Sequence, residues 1–156
     1  MANVAALCTY FKTQLLNGSH AFGAQLANAT RTVTTKDVFN IALYLVTGSR
    51  GVADTVYDAS GELAASGNYA AGGTALTNAT APGSSGTTAF WTPSASAVWA
   101  NLTSSGPFDA AVIYNASSTN KAEVGVFTFG SQSITAGTFT LTMPVNDSST
   151  GLVRLA

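Results

Sequence analysis

The chain has 156 residues, of which 46% are hydrophobic, enough for one domain with a sizeable core and marginal for two. Only 8% are charged and the formal net charge is -1, against roughly a quarter charged in an average soluble protein. The six Lys and Arg are scattered from Lys12 to Arg154, with no cluster to neutralise phosphates or hold an anionic bilayer, so neither nucleic acid nor membrane is expected as a partner.

In chain order, the first signal is helical. Val4, Leu7, Cys8, Phe11 and Leu15 fall at i, i+3, i+4, i+7 and i+11, one face of a helix. Asn3 suits an N-cap and Gly18 a stop. The stripe Val4, Leu7, Phe11 and Leu15 is a candidate docking surface. It either covers an open end of its own domain or docks on a neighbouring subunit. Cys8, the single cysteine, is expected as a small buried hydrophobe. Residues 19–35 are small and polar, a linker or an irregular early strand. No early segment has the order of a signal peptide, and no apolar run reaches the roughly 18 residues of a membrane span.

From Val38 the pattern turns β-branched and aromatic. VFNIALYLV puts Phe39, Ile41, Leu43 and Leu45 on one face and Ala42, Tyr44 and Val46 on the other, the pattern of a central strand covered on both sides. Gly48–Gly51 reads as a turn. Residues 59–86 are Gly-, Ala- and Asn-rich and predict a long loop with short edge strands. It lacks the order of a phosphate-binding loop. Tyr69 is its one large anchor, and TALT near 74–77 a short strand.

Strand signals then recur at short intervals in TTAFWT, SAVWANL, DAAVIYN, KAEVGVFTF, TFTLTM and GLVRL. Asn115–Asn120 is expected as a hairpin connection. Phe139, Leu141 and Met143 alternate with Thr138, Thr140 and Thr142, a half-buried antiparallel strand with a hydroxyl-bearing outer face. The expected fold is mainly β: an antiparallel β-sandwich or jelly-roll-like module with a short N-terminal α-helix. Residues 1–35 form an N-terminal helix and linker or docking arm, and residues 36–156 the sandwich domain. Six Asn-x-Ser/Thr triplets, starting at Asn17, Asn28, Asn78, Asn101, Asn115 and Asn146, are read as by-products of polar turns rather than as glycan sites.

Catalysis requires ionisable groups in combination, and these are scarce. His20 is the one histidine, and no Gly-x-Ser-x-Gly elbow accompanies it. One His and one Cys cannot make a zinc site of the usual kind, and no calcium-loop pattern occurs. The carboxylates Asp37, Asp54, Asp58, Glu62, Asp109, Glu123 and Asp147 each sit beside a turn or on an expected strand surface, where a solvated carboxylate is the ordinary reading. No catalytic residue, metal or cofactor is expected. The candidate recognition residues are the aromatics Tyr69, Trp91, Trp99 and Tyr114, since such rings stack on sugars or anchor contacts. Burial of the two indoles in the core is the competing reading.

The segments DVFNIALYLVTGS, GELAASGNYAAGGTALT and GTTAFW, and above all AVIYNASSTNKAEVGVFTFG followed by GTFTLTMPVNDSSTGLVRLA, resemble small virion structural proteins of tailed bacteriophages. The likeness runs from about Thr35 to Ala156. The resemblance is closest to head decoration, or cement, proteins. It implies a homo-oligomer, a trimer in many such proteins, on the outer surface of the head, with the major capsid protein as partner. The uncharged surface fits this implication, because hydroxyls and amides lose far less hydration on burial than ions do.

Overall fold

A computed structural model describes residues 2–23, 35–78 and 80–156. Among these residues the chain is mainly β, with ten strands and one short helix. Residues 24–34, and with them most of the segment read as linker or irregular strand, lie outside the described residues.

The sheet that organises the molecule has five antiparallel strands. Strand β2, Phe39–Leu45, is flanked by β7, Phe108–Asn115, on one side and by the two-residue β3, Thr74–Ala75, on the other. Beyond β7 lie β8, Glu123–Gln132, and the two-residue β1, Ala6–Leu7. As the alternation in VFNIALYLV predicts, β2 is covered on both faces. Phe39, Ile41, Leu43 and Leu45 enter the larger core, while Ala42 and Tyr44 enter a smaller one with Val112, Tyr114 and Val126. A strand buried on both sides reads as a near-continuous hydrophobic run for this reason.

Two smaller sheets complete the larger core. One joins β4, Gly83–Ser85, β5, Thr88–Trp91, and β10, Val153–Leu155; the other joins β6, Ala97–Leu102, and β9, Gly137–Leu141. Trp91, Ala97, Trp99, Leu102 and Val153 from these sheets pack with Phe39, Ile41, Leu43, Phe108, Ala111 and Ile113. The pairings β5–β10, β6–β9 and β7–β8 are nested one inside the next. This is the order produced when one long antiparallel ribbon folds back over itself, as in jelly rolls.

The hairpin between β7 and β8 forms where the Asn-Ser run predicts it. The Asn115 side-chain oxygen accepts hydrogen bonds from the backbone N–H of Ser117 (2.9 Å) and Ser118 (3.1 Å), so asparagine here builds the turn itself.

The N-terminus departs from the expected helix over Val4–Leu15. The helix α1 spans Thr9–Leu16, and Ala6–Leu7 is a strand instead. Ala6 pairs with Val126 and Leu7 with Gly125. A Cβ on Gly125 would stand 2.8 Å from the Ala6 carbonyl oxygen, so only glycine lets β1 approach this closely. The ladder to β8 therefore outweighs local helical spacing. Asn3 is no N-cap. Its amide donates to the Leu45 carbonyl and to Asp109, and its oxygen accepts from the Arg50 N–H. The expected stop is present: Gly18, with φ of 67°, follows the last turn, and Ser19 N–H bonds the Gln14 carbonyl.

Candidate functional site

The docking stripe is dispersed by the same change. Val4 is 60% exposed, Leu7 lies in β1, and Phe11 is fully buried in the larger core, with Leu15 half-buried against it. Residues spread over an extended segment and a helix share no single face, and Phe11 is already occupied by its own domain.

The four candidate recognition aromatics are likewise interior. Tyr69, Trp91, Trp99 and Tyr114 are each 2% exposed. Trp91 donates its indole N–H to Asn78 (2.9 Å), and Trp99 stacks on Phe139. Strand alternation turns Trp91 and Trp99 inward to the larger core, which Tyr69 joins from its loop, while Tyr114 enters the smaller one. None offers a face to a sugar or a partner.

Two polar assemblies involve the segment from Arg50 to Gly73, which meets the edge of β2 where Glu62 bridges to Tyr44. The first centres on Glu62. Tyr57 and Tyr69 donate their hydroxyls to its carboxylate, and Gly72 N–H adds a third bond at 2.8 Å. The Tyr69 hydroxyl also accepts from Leu43 N–H of β2 (2.9 Å), and Tyr114 reaches the Gly72 carbonyl (2.8 Å). A carboxylate so occupied is a clasp rather than a base or nucleophile: it fastens the long loop to the sheet. Burial, aided by Glu62, raises the pKa of both Tyr57 and Tyr69, so both phenols keep their protons and stay donors. The expectation that Tyr69 anchors this loop holds; its partners come from segments too far apart to signal themselves.

The second assembly centres on Glu123, which is completely buried. One oxygen faces the Cys8 thiol at 3.6 Å, and the other has no hydrogen-bond partner among the described residues. Burial, reinforced by Asp54 and opposed by Arg50, pushes its pKa up to about 8. Burial likewise raises that of Cys8, which leaves an inert thiol, the small buried hydrophobe the sequence suggests. Arg50 pairs with Asp58 (3.0 Å) and lies over the Tyr44 ring.

His20 borders a largely apolar cleft of about 470 Å³ with Phe11, Phe22, Phe90 and Trp91. Its Nε2 meets the Gln14 side-chain oxygen at 2.8 Å and its Nδ1 the Asn115 amide at 3.1 Å. With Nε2 protonated, the neutral ring satisfies both contacts. Burial lowers its pKa, with Asp37 acting against the shift. The ring is a structural link between α1 and the β7–β8 turn. Among the described residues, no group of three His, Cys, Asp or Glu is placed to hold a metal.

What the molecule presents outward is a surface of unusual electrostatics. No Asp, Glu, Lys or Arg occurs from Leu63 to Phe108 or from Val124 to Asn146. Strands β4, β5, β6 and β9 all fall in these runs. Ala89, Val98, Ala100, Thr138 and Thr140 are exposed on them. Arg50, Asp54 and Asp58 lie instead with Glu62 and Glu123. The two uncharged runs are readable in the sequence, but only the pairing β6–β9 shows where they lie side by side.

The chain matches no protein-family model, no curated protein and no solved structure.

Proposed function

We propose that this chain is a virion structural protein of a tailed bacteriophage. Its role in that reading is head decoration: it binds the outside of the shell and stabilises it by bridging capsid subunits. The observation that carries the proposal is the absence of charge from strands β4, β5, β6 and β9, taken with the segment likenesses. Burying Thr, Ala and Val against a partner requires no ion to be stripped of water. Each square ångström of apolar area then contributes roughly 25 cal/mol before ordering costs. A shell carrying many copies sums these small gains. The interior placement of Tyr69, Trp91, Trp99 and Tyr114 disfavours a carbohydrate-binding role.

The test is twofold. Copies of this chain counted against the major capsid protein in purified particles are expected in the hundreds; a few to some tens would point to the tail or baseplate. Heads lacking the chain are expected to open at lower temperature and to regain stability when purified protein is added. Heads that neither bind it nor change in heat resistance would end the proposal.

A further inference from the structure

An open β-sheet edge is a template for another strand, and proteins guard such edges with short strands, charges, prolines or bulges. Here the guards are distributed unevenly. The outer strands of the five-stranded sheet, β1 and β3, are two residues long. Past β3, the edge of β2 is closed by the loop: Leu45 N–H bonds the Gly61 carbonyl and Leu63 N–H the Leu43 carbonyl. Past β1, β8 is bulged, since Ala110 pairs with Thr128 but Phe108 with Gln132. In the three-stranded sheet both outer strands are three residues long, and β10 carries Arg154. In the remaining sheet β6 is irregular: its register shifts between Trp99 and Leu102, and Asn101 has φ of 53°.

Strand β9 has none of these devices. It is five residues long, contains no charge or proline, and pairs only with β6 among the described residues. The irregularity in the β6–β9 pair lies on β6, where Trp99 and Leu102 span three steps against two for Phe139 and Gly137. Thr138 and Thr140 are exposed and Phe139 is half-buried.

We infer that β9 is the edge through which two copies of this chain pair, antiparallel and about a two-fold axis, so that two β6–β9 ribbons become one four-stranded sheet. A second copy is the occupant that the chemistry favours. Antiparallel pairing of a strand with itself sets every side chain against one from the same short segment, and like charges there would repel. In Gly137–Leu141 there are none. Threonines facing threonines across a strand pair are instead favourable. The contact is isologous and closes on itself. It does not depend on the virion reading, and it replaces the trimer that the resemblance implies with a dimer.

Sedimentation velocity and native mass spectrometry of the full chain test this. The wild type is expected to be a dimer at micromolar concentration. Thr138→Lys with Thr140→Lys, and separately Thr138→Glu with Thr140→Glu, change only exposed positions. Each is expected to weaken the dimer by about tenfold or more, with unchanged circular dichroism. An equimolar mixture of the two variants is expected to restore dimers, now mixed ones, because opposite charges then face each other. A wild type that stays monomeric or forms trimers, or charged variants that dimerise as the wild type does, would overturn the inference. If both charged variants lose their folded spectrum, deuterium exchange of wild-type residues 137–141 decides: protection that rises with concentration supports the contact, and constant protection refutes it.

Discussion

With its pKa moved from the ordinary 4.5 to about 8, Glu123 keeps its proton at neutral pH in the folded chain and gives it up in the unfolded one. Between those two values the native state binds more protons, so stability falls as pH rises through the window and levels off above it. The slope approaches about 1.4 kcal/mol per pH unit at most. Glu123→Gln removes the titrating group while keeping its shape. Urea unfolding at pH 5 and pH 8 is expected to show that raising the pH costs the wild type stability relative to the variant, in which the lowered pKa of His20 leaves a gain with pH instead. Equal slopes for the two proteins would show that Glu123 is not the group responsible. In the sequence this residue looked like a solvated carboxylate on a strand surface. Its burial depends on Cys8 and on the chain around Asp54, which no local pattern connects to it.

Elements were legible where the signal was local. Strands β5 to β10 each overlap a stretch whose alternation and flanking Gly, Pro, Ser or Asn mark it in the sequence, although β7 and β9 begin earlier and β8 ends later than those stretches, and β9 shows the predicted division between Phe139 and Leu141 on one side and threonines on the other. Strand β1 was hidden, because Ala6 and Leu7 suit a helix equally well and the deciding residue is Gly125. The β2–β3 contact depends on a glycine in the same way. Gly73 has φ of 72°, and a Cβ there would stand 1.8 Å from the Ile41 carbonyl oxygen. Gly73→Ala therefore combines left-handed strain with a backbone clash. It is expected to destabilise the fold by roughly 3 kcal/mol or more, read from the urea midpoint; a loss within about 0.5 kcal/mol, the range of ordinary surface substitutions, would contradict the close approach.

At the scale of the whole molecule, the candidate surface was the least legible part. Composition announces that charge is scarce, but not that two charge-free runs lie side by side. That follows from a topology in which runs distant in sequence become neighbours. The same topology bears on how the chain reaches its structure. Trp91 pairs with Val153, Trp99 with Phe139 and Ala6 with Val126, so most pairings join distant residues. Domains of this kind refold in roughly milliseconds to seconds rather than microseconds. Stopped-flow refolding is expected to fall in that slower range, and a microsecond phase carrying the full amplitude would argue against the pairing order. For a chain emerging from a ribosome the consequence is sharper. Cys8 and Phe11 leave it well before β8, the strand that receives β1. The segment carrying Cys8 and Phe11 must wait, with its apolar side chains uncovered, until β8 has followed it out, so a stretch that suits a helix by itself depends for its cover on residues made much later.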